Sequence, residues 1–194
     1  MIRFAILLVL ACTALTPLSR AQAPVFTVTQ DDSSVNFSVQ ASVSIAGKFD
    51  KWDATLTFAS ADFTTGVLDI KVQAASVDTG SGFKDDKLRS GDFFNADHDP
   101  YITFKSTKIT QTGPDTFDIP GTFTIRGVSR PETLTLTASR ENADSGEIKG
   151  VMAFDRKDYG MDSGIPFIHI ANRVEVDVDL HVKRVSGPRL NYKK

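Results

Sequence analysis

Val174-Glu175-Val176-Asp177-Val178-Asp179-Leu180-His181-Val182 alternates apolar and polar residues without a break. Successive side chains of a strand point to opposite faces, so this stretch predicts a strand with one apolar and one wet face. The same period recurs upstream. Val35, Phe37, Val39, Ala41, Val43 and Ile45 share one parity; Ala54, Leu56 and Phe58 follow, then Leu68, Ile70, Val72 and Ala74. Ile102 with Phe104, Phe117 with Ile119, Phe123 and Ile125, Leu134 with Leu136 and Ala138, and Ile148 with Met152 and Phe154 complete the series. The intervening positions are mostly Thr, Ser, Lys, Asp and Glu, the pattern of half-buried antiparallel strands. Clusters such as Thr64-Thr65-Gly66, Thr112-Gly113-Pro114-Asp115 and Asn142-Ala143-Asp144-Ser145-Gly146 read as hairpin connections. A long sheet with a single apolar face loses its exposed edges by closing on itself, so the expected fold is all-β, an antiparallel barrel of about eight strands. Phe83 to Asn95 breaks the period: Lys84, Asp85, Asp86, Lys87, Leu88 and Arg89 precede Phe93 and Phe94, which predicts a short helix or ordered turn near 83–95.

The chain has 194 residues, 41% hydrophobic and 24% charged, which suits one globular domain. Its 22 basic and 24 acidic residues give a net charge of −2. That balance gives no electrostatic case for a nucleic-acid partner, which usually requires a basic excess.

Residues 1–21 read as an export signal. Arg3 supplies the positive start, Phe4 to Leu15 is almost wholly apolar, and both Ser19-Arg20-Ala21 and Ala21-Gln22-Ala23 offer the small-x-small pattern of signal cleavage. Cleavage after Ala21 is preferred, because cleavage after Ala23 would set the rigid ring of Pro24 just past the scissile bond. The expected mature unit is one domain over 22–194, with a loose basic tail over 186–194. The one cysteine, Cys12, falls inside the signal, so the mature chain forms no disulfide and a bacterial periplasm is the expected compartment. Val9-Leu10-Ala11-Cys12 also resembles a lipoprotein box, which would instead make Cys12 a lipidated N-terminus.

Few groups suggest catalysis. His98 sits in an Asp-rich turn, His181 on the polar face of the last strand, and His169 beside Phe167 and Ile168. None has the spacing of a zinc site, and no nucleophile elbow, phosphate loop or dinucleotide fingerprint follows a strand. No catalytic residue and no metal ligand is therefore expected. Aromatic mass is plentiful: the chain has 14 phenylalanines, and Phe37, Phe58, Phe104, Phe123 and Phe154 fall on the apolar parity. Such an interior is either a packed core or a cavity for a hydrocarbon chain, and periodicity alone allows both.

Ser76-Val77-Asp78-Thr79, Lys84 through Phe94, and Asp99-Pro100-Tyr101-Ile102-Thr103-Phe104-Lys105-Ser106 together resemble the signature of the YceI-like family of periplasmic polyisoprenoid-binding proteins. Gly47-Lys48-Phe49, Gly121 through Val128 with Pro131, and Phe154 through Met161 extend the resemblance over about Phe26 to Val185. It implies a lipocalin-like barrel that transports or stores a long amphiphile such as an isoprenoid quinone, a polyprenyl phosphate or a fatty-acid derivative. Two departures stand out. Family members usually carry Arg-Asp-x-His-Leu where this chain has Lys84-Asp85-Asp86-Lys87-Leu88, and His-Ser where it has Ser33-Ser34. The first exchange replaces a planar, bidentate donor with a point charge.

The ligand expected in place of a cofactor is a bound isoprenoid-type lipid. Its apolar lining is predicted to comprise Phe37, Val39, Phe49, Phe58, Leu68, Ile70, Phe93, Phe94, Phe104, Phe123, Ile125, Phe154, Val176 and Val178. Lys84 and Arg89 are the first candidates to meet its headgroup, with Arg126 and Arg156 second; alternatively these bases pair with Asp85, Asp86 and Asp92 and brace the loop. The competing functional class is an enzyme or stress factor acting on such a lipid through the carboxylates and lysines of 84–92. A homodimer and a transient membrane contact both stay open.

Overall fold

The alternating segments each pair with their sequence neighbours, antiparallel throughout. The structure, a computed structural model, describes residues 23–42, 44–142, 144–164 and 169–191. The export signal with Cys12, and also Val43, Phe167 and Ile168, lie outside the described residues.

Eight strands form the wall. They are β1 (Val25–Val28 and Ser34–Ala41), β2 (Ile45–Phe49 and Trp52–Phe58), β3 (Gly66–Gln73 and Val77–Asp78), β4 (Tyr101–Ser106 and Thr110–Gln111), β5 (Thr116–Ile125), β6 (Val128–Arg140), β7 (Ser145–Asp155) and β8 (Ile170–Ser186). The first four are each interrupted once: β1 and β3 by the 3-10 turns Gln30–Asp32 and Ala74–Ser76, β2 at Asp50-Lys51, and β4 over 107–109. Closure comes from the long β8. Its second half pairs with the first part of β1, Val28 opposite Val182, and its first half pairs with the second part, Val39 opposite Val174. A short helix, α1 (Gly82–Arg89), interrupts the meander between β3 and β4, inside the segment where the alternation fails.

Turn geometry decides which parity faces inward. β5 and β6 are joined by a two-residue turn between the pair Ile125 and Val128, with Arg126 and Gly127 at φ 54° and 70°. Two left-handed residues are what a type I′ hairpin requires, and an even two-residue loop switches the inward parity from Ile125 to Leu134. Gly121 faces the interior opposite the Phe104 ring. A Cβ there would lie 2.6 Å from Phe104 Cζ and from the Lys105 carbonyl, so glycine leaves the space the ring fills.

Within the stretch that the sequence reads as a loose tail, Asn191 is hydrogen-bonded to the barrel, and 192–194 lie outside the described residues. The Asn191 N–H donates to the Ala61 carbonyl at 2.7 Å, and the Phe63 N–H donates back to the Asn191 carbonyl at 3.1 Å. The parallel bridge between Asp62 and Asn191 ties this stretch to the connection between β2 and β3.

Candidate functional site: an apolar cavity beneath helix α1

The barrel is filled mainly by phenylalanines at one end, where a smaller hollow of about 70 Å³ opens beside Phe26, Leu56, Phe63 and Val182, and holds a larger apolar cavity at the other. Phe117 and Phe63 stack with centroids 4.2 Å apart, Phe63 meets Phe58 at 5.8 Å, and Phe58 meets Phe26 at 5.8 Å. Around them Leu68, Ile109, Ile119, Leu136 and Leu180 are almost completely buried. At the α1 end a cavity of about 100 Å³ remains, measured as the space open to the centre of a water. That equals roughly seven to ten waters, and so about as many methylene groups of a chain.

Of the 14 residues expected to line a pore, Phe37, Val39, Phe49, Ile70, Phe93, Phe94, Phe104, Phe123, Ile125, Phe154, Val176 and Val178 line this cavity. Phe58 and Leu68 do not: both face inward but sit in the packed end. Parity assigns a face, whereas height along the barrel depends on register and stagger. Val35, Ile45, Val72, Ile102, Leu134, Met152 and Val174 also line the cavity. They share the apolar parity of their strands, so the signal for them was present. Leu88, Met161 and Ile170 close the mouth from outside the alternating runs.

The mouth is built by α1 and the turns that hold it. Asp85, almost fully buried, accepts from the Thr79 N–H at 2.8 Å and its hydroxyl at 2.7 Å, tying the helix to the preceding loop. Lys87 is hydrogen-bonded to Asp92, which also accepts from the Ser163 hydroxyl at 3.1 Å. The Lys87 bond, and then the Ser163 bond, hold the Asp92 carboxyl below its ordinary range. Lys87 and Arg89 lie in the last helical turn, where cations favour the macrodipole.

The four headgroup candidates separate. Arg89 donates to the carbonyls of Ala75 at 2.9 Å and Val77 at 3.0 Å and to Asp86 at 3.2 Å, so it clamps α1 onto β3. Arg126 donates to the Gly160 carbonyl at 2.6 Å and links the β5–β6 turn to the rim. Neither lines the cavity. Lys84 and Arg156 do. Arg156 is buried; its Nε donates to the Ala171 carbonyl at 3.1 Å, and its Nη1 donates to the carbonyls of Ser163, at 3.0 Å, and Met161.

Comparison with known proteins agrees with this architecture. Residues 26–182 match the YceI-like domain. The chain belongs to the YceI-like family. A UPF0312 protein of Vibrio parahaemolyticus is 29% identical over 157 residues, covering 79% of this chain and 82% of that one. A UPF0312 protein of Azotobacter vinelandii is 34% identical over 98 residues, 50% of this chain and 51% of that one. This chain spans about half the length of several of the curated relatives it matches. Among solved structures, Burkholderia cenocepacia BcnA superposes with a TM-score of 0.73 at 24% identity, covering 80% of this chain and 99% of that one. A polyisoprenoid binding domain from Saccharophagus degradans superposes at 0.66 with 17% identity, over 83% of this chain and 99% of that one. At these identities the two solved neighbours show the shared fold.

Several family-like motif residues act as clasps around the YceI-like cavity. In the Phe154–Met161 stretch, the Asp155 side chain caps the 3-10 turn Arg156–Tyr159 by accepting from the Lys157 N–H at 2.9 Å, and Gly160 takes φ 72°. Tyr159 is fully buried against Phe123 and Phe154, and its hydroxyl donates to Glu132 at 3.0 Å. Burial, and then the Glu132 bond, push the Tyr159 phenol upward.

The histidines take no part in the cavity. His181, read from sequence as a solvated surface residue, is half-buried on the outer wall, with Nδ1 3.3 Å from Glu141 and Nε2 3.8 Å from both Glu147 and Asp179. Lys149 already occupies this group, its ammonium 2.6 Å from Glu147. Cross-strand pairing of Glu147 with His181 and Lys149 with Asp179 brings these groups together, a register that sequence alone does not contain.

Proposed function

We propose that this chain is an exported periplasmic protein that carries or sequesters one long-chain amphiphilic lipid, with the tail in the cavity beneath α1. The observation that carries this reading is the cavity wall. It is built almost entirely from inward-facing apolar side chains of all eight strands, and among the described residues only Lys84, Lys87, Thr103 and Arg156 contribute polar side chains to it. Each methylene removed from water is worth roughly 0.8 kcal/mol, so seven to ten of them supply about 6–8 kcal/mol before ordering costs. An isoprenoid quinone, a polyprenyl phosphate and a fatty-acid derivative all offer such a tail. The Saccharophagus domain described as polyisoprenoid binding has the same fold, which supports the lipid class.

Three further observations support this reading. Asp85, Asp86 and Asp92 are each engaged in bracing α1 and the loop after it. Phe83, 75% exposed on the helix that roofs the cavity, supplies an apolar contact for a membrane that donates or receives the lipid. The apolar N-terminal stretch with its cleavage pattern supports export.

Organic extraction of protein purified from the native periplasm, followed by mass spectrometry, tests the function. The expected result is one unmodified long-chain lipid per chain and an N-terminus at Gln22 without an acyl group. Turnover of an added lipid would establish the enzyme instead, and an acylated Cys12 at the mature N-terminus would move the protein to a membrane surface.

A further inference from the structure

We propose that the mouth of the cavity is an oxyanion site formed by Lys84 and Arg156, and that the lipid carried bears an anionic headgroup, a carboxylate or a phosphate monoester. This rests on the carrier reading and adds to it the chemistry of the headgroup.

Among the described residues, three cations and no anion line the cavity. Lys87 is neutralised by Asp92. Arg156 is only 7% exposed, yet all its bonds run to backbone carbonyls, and among the described residues no carboxylate pairs with it. Carbonyl dipoles orient a guanidinium without cancelling its charge, and a buried charge without a counter-ion is costly. Nε and Nη1 are used, and among the described residues nothing takes the two N–H donors of Nη2. Asp162 shares a surface hollow with Arg156 but, among the described residues, forms no ion pair with it. Lys84 likewise has no hydrogen bond or ion pair among the described residues. The acids beside it in sequence are turned to other partners, Asp85 to Thr79 and Asp86 to Arg89.

Among the described residues, two uncompensated positive charges therefore stand on a largely apolar wall. A neutral headgroup would leave both unpaired. An oxyanion takes charge-assisted bonds from the Lys84 ammonium and from the open edge of Arg156, while its tail fills the apolar space below. Arg89 and Arg126 cannot substitute, because both are committed to fastening the rim.

Calorimetric titration of the mature chain with dodecanoate, dodecyl phosphate and dodecanol separates headgroup from tail. Both anions are expected to bind at least tenfold more tightly than the alcohol, which is about 1.4 kcal/mol. Lys84→Gln should weaken both anions about tenfold while leaving dodecanol within twofold, and added salt should reproduce part of that loss. Because Arg156 also fastens the rim, Lys84→Gln carries the test, with Arg156→Lys added only if its melting temperature matches the wild type. Equal binding of all three amphiphiles, or an equal loss for anion and alcohol in Lys84→Gln, overturns the anion site but leaves the carrier standing. No binding of any amphiphile overturns the carrier reading itself. Acetate and inorganic phosphate should fail to compete; if they bind as tightly as the lipids, the site serves free anions and the headgroup assignment is wrong.

Discussion

Replacing Val178 with aspartate places a carboxylate on the cavity wall at nearly constant side-chain volume. Val178 is 5% exposed, lines the cavity, and stands opposite Gly150 and Val35. It lies seven residues along β8 from Ala171, the residue Arg156 holds, which at the rise of an extended strand is about 23 Å away from that cation. With Arg156 out of reach and apolar neighbours on both flanking strands, the cheapest response is to stay protonated. At pH 7 that costs about 4 kcal/mol, from an ordinary aspartate value of about 3.9 and 1.36 kcal/mol per pH unit. Losing the valine contact adds about 1.5–3 kcal/mol. The total rivals the whole stability of a typical domain, about 5–15 kcal/mol. The folded-state value is raised, so stability is greatest below about pH 4 and declines by up to about 1.4 kcal/mol per unit as pH rises above it. Thermal unfolding of Val178→Asp between pH 4 and 7, with dodecanol titrations at each pH, reads this directly. Val151→Asp is the control: it lies on the outer face of β7, 55% exposed, and should change stability by less than about 0.5 kcal/mol. Wild-type stability and lipid uptake in Val178→Asp at pH 7 would refute the placement of this position in an apolar cavity.

Three more outcomes are expected. Asp92→Asn should flatten the acid limb of the stability curve: a carboxyl held low by Lys87 and Ser163 stabilises the fold above its ordinary value near 3.8 and loses that contribution as pH falls through its lowered value, so melting temperatures below about pH 4 make the comparison. Tyr159→Phe should lower stability by about 1.5 kcal/mol through the lost bond to Glu132, and in the wild type an alkaline absorbance titration should find this phenol still protonated at about pH 10, where a free tyrosine is half ionised. Gly121→Ala should cost about 1–3 kcal/mol and push the Phe104 ring into the cavity, so lipid capacity measured by titration falls along with the melting temperature.

Much of the wall was legible because antiparallel partners share a face. Leu136 pairs with Gly150 and Met152 with Val176, so the inward parity carries from β6 through β7 into β8, and the alternation reads straight off the chain. The same property hid one turn. Val39 pairs with Ile45, an even separation, so the run from Val35 to Ile45 keeps its parity while passing from β1 into β2 and reads as one strand. Breaks inside strands were also silent, since the 3-10 turns at Gln30–Asp32 and Ala74–Ser76 are short and leave apolar residues on both sides. The exception at Phe83 to Asn95 was visible because charge replaced alternation there, and α1 occupies most of it.

The polar site was less legible. Arg89, Arg126 and Arg156 look alike in sequence, and only the carbonyls around them distinguish two rim clasps from a cation on the cavity wall. The bracing alternative holds for Arg89 with Asp86, and for Lys87 with Asp92, but not for Lys84. Phe58 and Leu68 show the corresponding limit for the lining: alternation carries no information about where along the barrel axis the packed phenylalanines end and the hollow begins.

The central claim is that a single hydrocarbon chain lies inside the barrel beneath α1. A crystal structure of the mature protein equilibrated with a dodecanoate brominated at its terminal carbon tests this most directly, through the anomalous signal of the bromine. The account predicts one bromine peak inside the wall, on the apolar side of the cavity away from α1, with the carboxylate toward Lys84 and Arg156. A bromine found only on the outer surface, or an interior closed by packed side chains with no chain density, would contradict it.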